Sequence, residues 1–230
     1  MKSRLVIILC IALAASPVLA GEKQELKTKK DKVSYAIGLD MGNNLKKNDV
    51  EIDADVLARA IKDVASGSKP LMTEQEAKET LMALQKELQA KQQEKSKALG
   101  EKNKKEGDEF LAKNKKQEGV KTLPSGLQYK VITEGKGKSP KASDTVTVNY
   151  AGKLIDGTEF DSSYKRGQPA TFPVGGVIKG WTEALQLMKE GSKWQLFIPA
   201  DLAYGEQGRP GIPPNSVLIF DVELLSIKAQ

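Results

Sequence analysis

Apolar positions recur with two different periods along this chain, and the change from one to the other divides it. Val33, Ile37, Met41 and Leu45 fall four apart, and Val56, Leu57, Ala60, Ile61 and Val64 form a second stripe opened by Asp53 as an N-cap and closed by Gly67. Both stripes predict short amphipathic helices. Gly38 and Gly42 lie one helical turn apart on the first, a spacing that either admits a close-packed backbone or merely weakens the helix. Pro70 ends this unit. Thr73 and Glu76 then read as a capping box ahead of a stretch without proline until Pro124, in which Ala77, Leu81, Leu84 and Leu88 form a stripe that fades into Lys, Gln and Glu. The pattern predicts a long helix over 73–118, a solvated spacer braced by pairs such as Glu87 with Lys91, with Gly100 and Gly107 as candidate break points.

From Lys121 the period becomes two. Val146, Val148 and Tyr150 alternate with Thr145, Thr147 and Asn149; Trp194, Leu196 and Ile198 alternate likewise, as do Leu218, Phe220, Val222 and Leu224. Asp156-Gly157 reads as a hairpin turn. One amphipathic helix, Lys179 to Glu190, carries Trp181, Leu185 and Met188 on one face and stops at Gly191. Several antiparallel strands with a single helix make this part an α+β fold whose helix packs on one face of the sheet.

The ends and the charge refine this picture. Lys2 and Arg4, the apolar run Leu5 to Ala15 and the ending Val18-Leu19-Ala20 read as a signal peptide over 1–20, cleaved before Gly21. The run is shorter than the ~20 apolar residues that span a bilayer. Residues 21–32 read as a flexible lead-in, 33–72 as a helical domain, 73–118 as the connecting helix and 119–230 as the strand-rich domain. Without Lys2 and Arg4, the 36 basic residues become 34 against 30 acidic, so the net charge falls from +6 to +4 and no one-sided charge suggests a nucleic-acid partner. The helices before Pro70 are shorter than the ~40 residues that can usually fold alone. A second copy of the chain is the simplest cover for their apolar faces, giving a two-fold homodimer.

The chain has no His, and its one Cys is Cys10 in the leader, which excludes Ser-His-Asp and Cys-His nucleophile systems and most transition-metal sites. Ser66-Gly-Ser-Lys69 and Ser162-Ser-Tyr-Lys165 match a four-residue acylase pattern without its companion signatures. Glu159 and Asp161 are an acid pair of the type a glycosidase uses, yet neighbouring strand carboxylates are usually solvated. On base rates Tyr150, Val177 and Phe220 are packing residues, whereas a carboxylate beside Phe160 needs a partner and points to a site.

More specific is an ordered set of strings: Val148-Asn-Tyr150, Gly157-Thr-Glu-Phe-Asp-Ser-Ser163, Gly176-Val-Ile-Lys-Gly-Trp181, Ala203-Tyr-Gly205, Gly211-Ile-Pro-Pro214 and Leu218-Ile-Phe-Asp-Val-Glu-Leu224. In order and spacing they resemble the FKBP family of peptidyl-prolyl isomerases, over about 110 of the 230 residues. Residues 33–118 resemble the helical dimerisation domain of the bacterial members akin to the macrophage infectivity potentiator. The resemblance implies an antiparallel sheet wrapped on one short helix, no cofactor and no metal, and isomerisation of X-Pro bonds in exported proteins, with chaperone activity as a dimer. It also implies a periplasmic or outer-membrane-associated location in a Gram-negative bacterium.

Carried over, the pocket has Trp181 as its floor and Tyr150, Phe160 and Phe220 as walls, with Val177 and Ile212 beside them. The Ile178 N–H and the Tyr204 hydroxyl hold substrate carbonyls, and Asp161, with Arg166, orients polar groups at the rim. Macrolide inhibitors are implied ligands, with Ala170, where many members have an aromatic, and the short Gly175-Gly176 turn setting the pocket's width. The other reading is an exported proline-binding chaperone with little turnover.

Overall fold

The computed structural model describes residues 25–229; the expected leader lies outside them. The described residues divide into two compact units, one ending at Glu74 and the other starting at Gln75.

In the first unit, helix α1 (Lys29–Lys47) starts within the stretch expected to be a lead-in. The cause is a capping box. Thr28 Oγ1 accepts from the Asp31 N–H at 3.0 Å, and Asp31 Oδ2 accepts from the Thr28 N–H at 2.9 Å, so the helix begins before its first apolar residue. Helix α2 (Ala54–Ser66) starts where Asp53 Oδ1 accepts from the N–H groups of Asp55 and Val56, and ends at Gly67 in the left-handed region at φ 68°. Neither helix buries a single residue, and Val64 is 75% exposed.

Helix α3 (Glu74–Asn114) runs 41 residues, about 62 Å at 1.5 Å per residue, without interruption. Gly100 and Gly107, the candidate break points, are instead its two buried residues. A Cβ on Gly107 would stand 2.7 Å from Val217 Cγ2, and one on Gly100 would stand 3.2 Å from Pro214 Cβ. Asn103 Nδ2 donates to the Pro214 carbonyl at 2.8 Å, and Asn215 Nδ2 donates to the Gly100 carbonyl at 3.2 Å. The later half of α3 is therefore a docked element of the second unit and not a free spacer.

That unit contains β1 (Val120–Thr122), β2 (Gln128–Thr133), β3 (Thr145–Leu154), β4 (Glu159–Ser162), the one-turn α4 (Ser163–Arg166), β5 (Ala170–Pro173), α5 (Lys179–Leu187), β6 (Lys193–Ile198) and β7 (Leu218–Lys228). The strands form one sheet in the order β1-β2-β6-β7-β3-β4, with β5 also paired to β3, and every pairing is antiparallel. Between β3 and β4 the chain turns at Asp156-Gly157, with Gly157 at φ 88°. The alternation is as the sequence predicts: Val146, Val148, Leu196, Leu218, Val222 and Leu224 are fully buried.

Helix α5 packs Trp181, Ala184 and Leu185 onto this face, and the next residue of its stripe, Met188, is buried just past its end. It ends three residues short of Glu190, because residues 189–192 form a turn around Gly191 at φ 87°. Strand β6 departs from simple alternation, since Phe197 is buried as well, its ring centroid 6.0 Å from that of Phe110 on α3. Beside it Gln128 donates to the Leu111 carbonyl and accepts from Asn114 Nδ2. The sheet is thus covered by α5 on one face and, over β2 and β6, by α3 on the other.

Candidate active site

The core face of β3 and β7 continues into a cavity of about 430 Å³. Tyr150 and Phe220 enter it from β3 and β7, and Trp181 from the first turn of α5. Their rings meet at large angles: Trp181 lies 5.2 Å and T-shaped from Tyr150, 5.2 Å from Phe220 and 5.9 Å from Phe172, while Phe160 meets Phe220 at 5.5 Å. Edge-to-face contacts of this kind add about 0.5–1.5 kcal/mol each beyond burial, so the walls hold their shape without a ligand. Gly152 makes room for them. A Cβ there would stand 2.6 Å from the Phe220 ring and 2.7 Å from that of Phe160.

Polar groups are few and fixed. Tyr150 donates its hydroxyl to Asp161 Oδ2 at 2.6 Å, Arg166 Nη2 donates to the Tyr150 oxygen at 2.7 Å, and Arg166 Nη1 pairs with Asp161 Oδ1. Burial alone would raise the Asp161 carboxyl, but the Tyr150 and Arg166 hydrogen bonds and the guanidinium charge hold it below the ordinary carboxylate range. Burial, and next the bond to Asp161, push the Tyr150 hydroxyl above its usual value. Arg166 is delivered by α4, which Ser162 caps and Gly167 ends at φ 72°. The Ser163 hydroxyl accepts from the Tyr150 N–H at 2.9 Å and locks β3 to this turn.

The Ile178 N–H, at the start of α5, has no acceptor among the described residues, and the buried Trp181 Nε1 has none either. The Tyr204 oxygen accepts from Arg209 Nη1 at 2.9 Å, which leaves its own proton to donate.

The structure brings Tyr150, Phe160, Asp161, Val177, Ile178, Trp181, Tyr204 and Phe220 around one cavity. Arg166 stands behind Asp161, its guanidinium 5.3 Å from the Tyr150 ring centroid, and does not line the wall. Ile212 is 3% exposed and belongs to the core beneath the adjoining loop. Gly176, of the turn expected to set the pocket's width, lines it, and Phe172 and Arg209, which sequence reasoning did not single out, complete the lining. Phe172 shares a strand face with Ala170, so that face keeps one aromatic where its neighbour is small. Of the dismissed motifs, Ser162 serves as a helix cap and Lys165 Nζ pairs with Glu159 at 2.9 Å, which separates Glu159 from Asp161 in role.

The C-terminal domain of FKBP-type peptidyl-prolyl cis-trans isomerases matches residues 136–225, and the domain found amino-terminal to it matches residues 30–131. Outer membrane protein MIP of Legionella longbeachae is 50% identical over 99% of both chains. Peptidyl-prolyl cis-trans isomerase Mip of Coxiella burnetii is 50% identical over 89% of this chain and 90% of its own. The crystal structure of FkpA from Escherichia coli superposes with a TM-score of 0.70 at 44% identity, covering 89% of this chain and 99% of that one.

Proposed function

This chain belongs to the FKBP-type peptidyl-prolyl cis-trans isomerases and is an enzyme of that activity, and from that premise we propose that the X-Pro bond turns in the cavity walled by Tyr150, Phe160, Trp181 and Phe220. The observation that carries this reading is one apolar cavity that holds a free backbone N–H, an available hydroxyl proton and a neutralised carboxylate. Amide resonance sets a barrier of ~18–20 kcal/mol and places negative charge on the carbonyl oxygen. At the twisted transition state that resonance is lost and the carbonyl is less polar. An aromatic-walled cavity with few polar groups therefore penalises the planar ground state more than the transition state, and no proton needs to move.

In this reading the proline ring rests on Trp181 between Tyr150, Phe160 and Phe220, beside Val177. The Ile178 N–H and the Tyr204 hydroxyl hold carbonyls on either side of the turning bond. Asp161, fixed by Tyr150 and Arg166, stays ionised and paired at the edge, and Ile212 supports the loop from below. Macrolides with a proline-like ring would compete for the same space, with Phe172 compensating in part for the small Ala170.

The substrates are X-Pro segments of exported proteins, and the working form is a homodimer with chaperone activity. The unburied apolar faces of α1 and α2 support dimerisation through residues before Pro70, and the kinship with Mip and FkpA supports export to the periplasm or the outer membrane. Among the described residues no helix is long and apolar enough to cross a membrane.

A proline-isomer assay on a short peptide tests the site, comparing residues 21–230 with the Asp161→Ala, Trp181→Ala, Tyr204→Phe triple variant. Turnover should fall at least about a hundredfold, since three contacts worth ~1–3 kcal/mol each are removed. A triple variant with unchanged circular dichroism and wild-type turnover would refute the assignment.

A further inference from the structure

Arg209 lines the cavity from the loop that follows Tyr204. Its backbone is fixed although its side chain is at the surface. Arg209 and Ile212 exchange both backbone hydrogen bonds, at 2.9 and 2.8 Å, around Pro210 and a Gly211 at φ 85°, the residues a type II turn requires at those two places. Ile212 anchors the turn in the core, and the Asn215 N–H closes the loop on the Gly205 carbonyl at 2.8 Å.

From this support the guanidinium lies 5.0 Å from the Tyr204 ring centroid while Nη1 bonds to the Tyr204 oxygen. No carboxylate pairs with Arg209 among the described residues. Asp161, the carboxylate lining the cavity, is occupied by Arg166 and Tyr150. The rim therefore carries one neutralised ion pair and one cation with its charge unmatched.

We propose that Arg209 is a specificity-determining residue that favours X-Pro substrates carrying a carboxylate side chain next to the proline. This rests on the placement of the reaction in the same cavity. A guanidinium held by a stiff turn and stacked on a ring loses little freedom on meeting a carboxylate, and its planar fork suits one. While bonded to Tyr204 it occupies one lone pair of that oxygen and directs the hydroxyl proton toward the substrate, so one residue reads the neighbouring charge and orients the carbonyl donor.

The test uses acetyl- and amide-blocked peptides with no other charge, bearing Glu, Gln or Lys before the proline in one set and after it in a second, with exchange measured by NMR. In at least one set the wild type should show kcat/KM for Glu about two- to fivefold above Gln, and Lys below Gln, the range of an exposed ion pair. The preference should shrink as salt is raised. Arg209→Met should erase it, and Arg209→Lys should retain the Glu preference. The proposal is overturned if Arg209→Met leaves the Glu-to-Lys ratio as in wild type in both sets, or lowers all peptides alike. If Asp161→Ala leaves turnover of every peptide at the wild-type rate, it is the placement of the reaction that fails.

Discussion

Asp161 shows how a carboxylate becomes part of an apolar wall. Burial opposes its charge, and a phenol and a guanidinium restore it. Because its folded pKa is depressed, its contribution to stability is complete above the unfolded value near ~4 and is lost as pH falls through the folded one. In acid titrations followed by circular dichroism, wild type and Asp161→Ala should therefore differ most above about pH 5 and converge below it. Tyr204→Phe should lower kcat/KM by about tenfold, the worth of one hydrogen bond, while leaving the melting temperature within a few degrees. Most of these residues were legible in the sequence because strings such as Gly157-Thr-Glu-Phe-Asp keep their order and spacing. Arg209 was not, since an exposed arginine in a loop carries no periodic signal, and only the Tyr204 contact gives it a place. Ile212 was legible as a neighbour of the site, but its burial beneath the loop depends on a turn that the string alone does not orient.

Helices and strands differed in how much they disclosed. The strands announce themselves because one face is buried and the other is not, and the observed register follows that alternation. Helix α3 hides its docked face, which sets Phe110 among Gly100, Asn103, Gly107 and Asn114 and so carries no continuous apolar stripe, and the hydrophobic period fades where the helix is in fact held. The capping box at Thr28 gives no hydrophobic signal for a related reason, as it precedes any apolar stripe. The docked face makes a prediction that runs against propensity. Alanine in place of glycine favours a helix by ~1 kcal/mol. At Gly107 the new methyl would meet a stiff Val217, and overpacking of ~1–3 kcal/mol should outweigh the gain, lowering the melting temperature of Gly107→Ala by about 2–4 °C. Gly100→Ala, where the nearest atom is 3.2 Å away, should be close to neutral in the same thermal scan.

At the scale of the molecule, the two units differ in what they can do alone. Unit two holds the whole buried core and the cavity, whereas α1 and α2 bury nothing within one chain. Sedimentation should find residues 21–230 dimeric and residues 75–230 monomeric, with equal kcat/KM on a short peptide per cavity. The longer chain should be the better catalyst of refolding for a protein limited by several prolines, since two linked cavities act on one client. A fragment starting at residue 119 would lose α3 and uncover Phe197, and should be less stable than 75–230 by about 1.5–3 kcal/mol. The central claim, isomerisation by an aromatic-walled cavity and fixed hydrogen bonds without any titrating side chain, bears on the whole chain because the chain has no His and its single Cys is Cys10, outside residues 21–230. Asp161 is held below, and Tyr150 above, their ordinary ranges, so neither changes charge between about pH 6 and 9. The decisive measurement is kcat/KM of residues 21–230 on one uncharged X-Pro peptide across that window at fixed ionic strength. A profile flat to within about twofold is expected, and a tenfold change with single-proton shape in a protein that stays folded would contradict the account.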